Sequence, residues 1–280
     1  MATRGATACR GPGAGESSCS LYFHGFVMAA TREQLLAAFD AVLEPARFSD
    51  YGPNGLQVEG RRQVRKIVSG VTASLALIEA AIAADADAIL VHHGLFWRGQ
   101  RSTVTGWMKP RLARLLQHDV NLFAYHLPLD AHPGLGNNAE LARRFGLVTE
   151  RHFGEQDLGF LGRREDGGVF ADAAELAAHV ERVLGREAIV VGEPAAPIAT
   201  IGWCSGGAQG FFEAAIDAGA QAFITGEISE PQAHLARECG VAFLACGHHA
   251  TERYGAPALA GHVAAQLGIA HQFIDIDNPA

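Results

Sequence analysis

Strand-like and helix-like segments alternate from residue 31 to the C-terminus, and this alternation limits the fold more than any other feature of the sequence. Thr31-Arg-Glu-Gln34 has the capping-box pattern, and Leu35, Leu36, Phe39, Val42 and Leu43 follow at helical spacing until Pro45. Residues 66–71, 88–91 and 120–125 read as strands. Residues 74–84, 111–118 and 138–145 read as helices, the second with Leu112, Leu115 and Leu116 on one side and the third closed by Gly146. Asp172 starts a further helix with Leu176, Val180, Val183 and Leu184 inward and Gly185 as its stop. Strands are expected near Ile189, Ile198 and Ala222 and over 241–246 and 269–276, with helices over 230–239 and 256–267. Residues 49–60 (SDYGPNGLQVEG) read as a turn-rich loop. Alternation of this kind predicts an α/β fold with mixed, largely parallel sheets.

The chain also repeats itself weakly. Glu79-Ala-Ala-Ile82 recurs as Glu213-Ala-Ala-Ile216, and at the same offset Ile89-Leu-Val91 falls on Phe223-Ile-Thr225 and His92-His93 on Gly226-Glu227. At a slightly shorter offset His126 falls on His248 and Asp130 on Glu252. Two similar layered α/β halves follow as an expectation, roughly 28–150 and 185–280, with a metal site between them.

Composition removes several classes of function. Hydrophobic residues make up 49% of the 280 residues and charged residues 19%, which supplies a core and excludes global disorder. The net charge is −8 and no Lys/Arg-rich run occurs, so a nucleic-acid or anionic-membrane partner is not expected. No uninterrupted apolar run reaches the roughly 20 residues of a membrane span. Five cysteines (Cys9, Cys19, Cys204, Cys239 and Cys246) without a C-x-x-C suit neither a disulfide framework nor a thiolate zinc site, and a reducing cytoplasm is the expected compartment. Residues 1–27 show no period and read as a disordered extension ahead of a domain starting near Met28. Residues 21–30 imitate the apolar part of a signal peptide but are short and contain His24.

The 13 histidines are the chemically telling residues, and several cluster at the ends of expected strands. His92-His93 directly follow Ala88-Ile-Leu-Val91. Ligands of parallel α/β sheets bind at the carboxyl ends of strands. Neighbouring residues of a strand point opposite ways, so the pair suits two metal ions, one each. His126 to Asp130 follow the strand 120–125, and Pro128 makes this segment extended or turning. His248 and Glu252 follow the strand 241–246 and share one helical face. Taken together, His92, His93, Asp130, His248 and Glu252 suit two divalent transition metal ions, with zinc, manganese, iron, nickel or cobalt all compatible. A close pair of such ions activates water as a nucleophile at neutral pH. His126 and His249 are the candidates for proton transfer. Ser205-Gly-Gly-Ala-Gln-Gly210 is either a phosphate-binding turn or a tight turn that needs glycine. Trp97 and Trp107 lie in the loop after the histidine pair and serve either stacking or packing.

The segments SDYGPNGLQVEG, VHHGLFWRG, HLPLDAHPGLGNNAELA, SGGAQG, TGEISE and GHHATERYGAPAL, and the terminal FIDIDNPA, together resemble the Nif-three-like dinuclear-metal family, whose members are also called GTP cyclohydrolase I type 2 homologues. The likeness runs from about Met28 to the end and is to the short bacterial branch without an inserted domain. The resemblance implies a toroidal hexamer with dinuclear sites facing an internal cavity, and the same five ligands at the family's motif positions. It further implies a metal-dependent hydrolase acting on a nucleotide or similar small molecule. A non-catalytic metal-binding or metal-delivery assembly protein is the alternative.

Overall fold

The computed structural model describes residues 28–194 and 196–280, so the expected extension over 1–27 lies outside the described residues. Their strands are β1 (Ala30–Thr31), β2 (Gly55–Val58), β3 (Gln63–Val64), β4 (Lys66–Thr72), β5 (Ala88–His93), β6 (Asn121–Ala124), β7 (Leu147–Phe153), β8 (Gly159–Arg164), β9 (Ile189–Val191), β10 (Ile201–Trp203), β11 (Ala222–Thr225), β12 (Ala242–Ala245) and β13 (Ala270–Phe273). β1 pairs only with β3.

Ala88-Ile-Leu-Val91 has no polar side, so it needs cover on both faces. β5 accordingly lies at the centre of a five-stranded sheet ordered β13-β4-β5-β6-β2. β13, β4, β5 and β6 are parallel, and β2 is an antiparallel edge. Ala88 and Leu90 pack with Leu35 and Phe39 of helix Arg32–Leu43 and with Leu259 and Val263 of helix Gly255–Leu267. Ile89 and Val91 pack on the opposite face with Leu77 and Ile78 of helix Leu75–Ala83 and Leu115 of helix Met108–Gln117. Each buried Leu or Ile contributes about 1.5–3 kcal/mol relative to exposure.

The second sheet is ordered β7-β8-β10-β11-β12-β9. β10, β11 and β12 are parallel, and the flanking pairings are antiparallel. It repeats the first: β10-β11-β12 with antiparallel β9 beside β12 mirrors β4-β5-β6 with antiparallel β2 beside β6. β5 and β11, which carry the matched Ile89-Leu-Val91 and Phe223-Ile-Thr225, hold equivalent central places. The sheets are not consecutive stretches of chain, because β7 and β8 precede residue 185 and β13 returns to the first sheet.

Several local expectations change. The loop 49–60 contains β2, whose pairing is bulged between Leu56 and Val58 and whose ends alone are buried. The hairpin β7–β8 was not expected, because β7 is an edge strand buried only at its first and last residues and so lacks alternation. Residues 127–131 form a short helix, not an extended segment; Pro128 sits in its first turn, where the missing N–H is not needed. Leu116 is exposed, and Met108 takes the inward place beside Leu115. Ile198 makes a single bridge to Phe170, and the strand forms over Ile201–Trp203. Among the described residues no helix is long and apolar enough to cross a membrane.

Candidate metal centre

Three strand ends converge. β5 ends in His92 and His93. The helix Leu127–Ala131 follows β6 and presents Asp130. The helix His248–Glu252 follows β12 and presents both of its terminal residues. Glu252 stands between the histidines. Its Oε1 lies 3.3 Å from His92 Nε2, and its Oε2 lies 3.2 Å from His93 Nε2 and 3.1 Å from His248 Nε2. Asp130 Oδ1 is 3.5 Å from His92 Nε2. Two groups of donor atoms within 4.8 Å of one another result, His92/Asp130/Glu252 and His93/His248/Glu252, and a third joins His92, His93 and His126. The two neighbours of the strand end thus meet different oxygens of one carboxylate.

The far side of each ring is held. His92 Nδ1 donates to Tyr125 O at 3.0 Å, His248 Nδ1 to Glu227 Oε1 at 2.6 Å, and His126 Nδ1 to Asp50 Oδ1 at 2.7 Å. An acceptor at Nδ1 keeps a proton there, so Nε2 is the nitrogen that a metal would take once its own proton is displaced. Asp130 Oδ1 accepts from Asn137 Nδ2 and Ser205 Oγ, both at 2.9 Å.

What the central atoms lack is a partner. His92 Nε2, His248 Nε2 and Glu252 Oε2 are buried without a hydrogen bond; the short separations above are not aligned for one. Among the described residues the only other such atom is Gln209 Oε1. An unsatisfied buried polar group costs about 1–3 kcal/mol, and a cation bound among these three would remove that cost. Imidazole nitrogens and carboxylate oxygens are donors for divalent transition metals, so the residues present fit such an ion.

The electrostatics agree. Burial opposes a charge on His92, but the carboxylates of Asp130 and Glu252 raise it to about 9. His248, likewise desolvated, is raised to about 9 by Glu252 and Glu227. Burial pushes His93 down to about 3. Burial alone would raise Glu252, but His92 and His93 hold it well below the carboxylate range.

The loop 205–210 backs this cluster. Gly206 has φ +67°, and a Cβ there would collide with Glu252 Oε1. Gly226 lies against His248, where a Cβ would be 2.6 Å from its Cα. Ser205 N–H donates to Asn138 Oδ1 and Gly206 N–H to Thr251 Oγ1, so these amides are already engaged. Gly206 and Gly226 thus serve close approach to Glu252 and His248.

His126 joins the group, with Trp97 against it edge to face at 5.0 Å between ring centroids. His249 does not join it. Its Nε2 pairs with Asp275 Oδ1 at 2.8 Å, away from the donors, because successive residues of one helical turn face different ways. Trp107 is exposed, with the Arg111 guanidinium over its ring. Sequence reasoning missed Asp50 and Glu227. Glu227 was accessible, because the internal repeat aligns it with His93. Asp50 was not, because its contact with His126 spans 76 positions. A cavity of about 200 Å3 opens onto Asp130, His248 and Glu252.

The profile of the family described as Duf34/NIF3 (NGG1p interacting factor 3) matches residues 30–279. A Neisseria meningitidis serogroup A protein named GTP cyclohydrolase 1 type 2 homolog is 53% identical over 249 residues, 89% of this chain and 99% of its own length. A Pseudomonas aeruginosa protein of the same name is 50% identical over 256 residues, 90% of this chain and all of its own. Among solved structures, one described as protein ybgI, of unknown function, superposes with a TM-score of 0.86 at 44% identity, covering 90% of this chain and 100% of that one. A protein from Thermus thermophilus superposes with a TM-score of 0.81 at 33% identity, with the same coverages.

Proposed function

Because the chain belongs to the Duf34/NIF3 family, we propose that it holds two divalent metal ions and hydrolyses a nucleotide or a similar small molecule. The observation that carries this reading is the convergence of His92, His93 and His248 on the two oxygens of Glu252, with Asp130 beside His92 and three buried atoms left unpartnered beside a cavity. His92 and Asp130 would hold one ion, His93 and His248 the other, and Glu252 both. Bound there, the ions would supply Lewis acidity and activate water at neutral pH.

The chain's own residues do the rest. Asp50 fixes the Nδ1 proton of His126, so its Nε2 is free to take a proton from the reaction and return it to the leaving group. Burial would raise the Asp50 carboxyl, but hydrogen bonds from His126 and Asn54 bring it to about 2, so it stays an anion throughout. Asn54 Oδ1 accepts from His126 N–H at 2.7 Å and secures the backbone of the same residue. Trp97 packs against His126 and His93, with ring centroids 5.0 and 5.9 Å away.

Metal-loaded protein incubated with GTP and a panel of nucleotides and phosphoesters tests the reading. Turnover that disappears in a His92→Ala/His93→Ala double variant supports it; turnover no greater than that variant's sinks it. A metal-delivery role has one observation in its favour. The side chains of His93 and His248 are 18% and 28% exposed, against 0% for His92 and 9% for Asp130, so one centre is open to exchange. Transfer of metal to an apo-acceptor without any turnover would select that role.

A further inference from the structure

We infer that Gln156 is a positioning residue: its side-chain amide clamps the 49–54 loop from the second sheet and so keeps Asp50 against His126. This rests on the hydrolytic reading, in which His126 carries the proton. Gln156 sits in the turn that joins β7 to β8. Its Oε1 accepts from Ser49 N–H at 2.7 Å, and its Nε2 donates to Ser49 O at 3.1 Å. Both backbone groups of Ser49 are thus met by one planar amide that lies 107 positions further along the chain. An amide side chain carries the donor and the acceptor this needs, and a carboxylate does not.

Asp50 follows Ser49 directly. Its carboxylate accepts from His126 Nδ1, from Asn54 Nδ2 and from the N–H groups of Tyr51 and Leu127. A shift of the Ser49 backbone therefore moves the acceptor that fixes the His126 ring. Arg98 holds the loop from the side of the first sheet, its N–H donating to Tyr51 O and its guanidinium to Asp50 O. Gln156 holds it from the side of the second.

The backbone at the clamp is strained. Gln156 and Asp157 both take the left-handed conformation, with φ +53° and +58°. That conformation is costly outside glycine and collects at functional sites. The turn is fixed where it starts and ends: Gly154 lies against the Phe211 ring, and Leu158 O accepts from Asn138 Nδ2 at 3.1 Å. Two hydrogen bonds open to solvent add little stability. The strain therefore serves the direction of the amide more than the fold.

Gln156→Gly separates position from stability. It removes the amide but relieves the left-handed residue, so denaturant unfolding should give a stability close to that of the parent. Hydrogen exchange of the metal-loaded protein should then be about tenfold or more faster in the 49–54 segment and at Leu127 N–H, with β4 and β5 unchanged. On whichever substrate the nucleotide panel identifies, kcat should fall about 10–100-fold, with KM within about twofold and bound metal at the parent level. Unchanged exchange at 49–54 overturns the inference. So does a loss of stability with faster exchange throughout the molecule. A raised KM with kcat kept overturns it as well, because Gln156 lines the cavity and would then be a substrate contact. Turnover with kcat and KM both unaffected overturns it and leaves the hydrolase reading in place. Faster exchange confined to 49–54 and Leu127, without turnover by parent or variant, upholds the clamp and removes the hydrolase reading.

Discussion

Glu252 is almost fully buried, yet both of its oxygens are directed at imidazole nitrogens, one toward His92 and one toward His93 and His248. Such a residue is stable only as part of a charged cluster, since an isolated buried carboxylate would neutralise itself. Its supports matter nearly as much. Glu227→Ala removes the acceptor behind His248 and should cut metal affinity about 10–100-fold, read by competition with a chromogenic chelator. Unchanged affinity would mean the Glu227 contact is incidental. Protons give a second readout. His92 and His248 stand near 9 without metal, so both rings are protonated at neutral pH and a cation must displace those protons. Adding zinc to weakly buffered metal-free protein at pH 7 should release about two protons per chain. The release should fade above pH 9, where the rings are already neutral. The histidine and acid clusters were legible in the sequence because each follows a strand directly. Asp50 was not, because nothing local marks a carboxylate whose partner lies on another strand's end.

At the scale of elements, the helix His248–Glu252 is held from two sides. On one side the 205–210 turn presses against Glu252. Gly206→Ala should cost about 1–3 kcal/mol of stability through its left-handed backbone and should reduce bound metal, measured by denaturant unfolding and by elemental analysis of one sample. On the other side lies the C-terminal segment after β13. Asp275 reaches His249 at 2.8 Å and Arg253 at 3.8 Å, and Ala280 O accepts from His249 N–H and from Arg186. His249, expected at the site as a proton carrier, is an anchor for this strap. Asp275→Ala should weaken metal binding about tenfold while Asp275→Glu retains it. Equal affinity in both variants and the parent would show that the strap does not position the helix. The longer helices and strands such as β5 were legible because each has one strongly periodic or wholly apolar face, as in Arg32–Leu43 and β5, whereas the five-residue helix Leu127–Ala131 is too short to show a period. The edge strands β2 and β7 were not, because an edge exposes the middle of the strand and erases the alternation.

At the scale of the molecule, the two sheets repeat one arrangement and present their strand ends to one cluster. Duplication explains why the donors come from β5 and the segment after β6 in one sheet and after β12 in the other. Val104, Trp107 and Leu116 are exposed apolar side chains of the single chain, and a toroidal hexamer is expected from the family resemblance. Sedimentation should then give a species about six times the chain mass, and a monomer at micromolar concentration would contradict that expectation. Elemental analysis of untagged protein after equilibrium dialysis, wild type beside Glu252→Gln, shows whether Glu252 joins two metal ions. About two divalent ions per chain are expected in the wild type and about one or none in the variant. One ion or fewer in the wild type, or two retained without the Glu252 carboxylate, would contradict it.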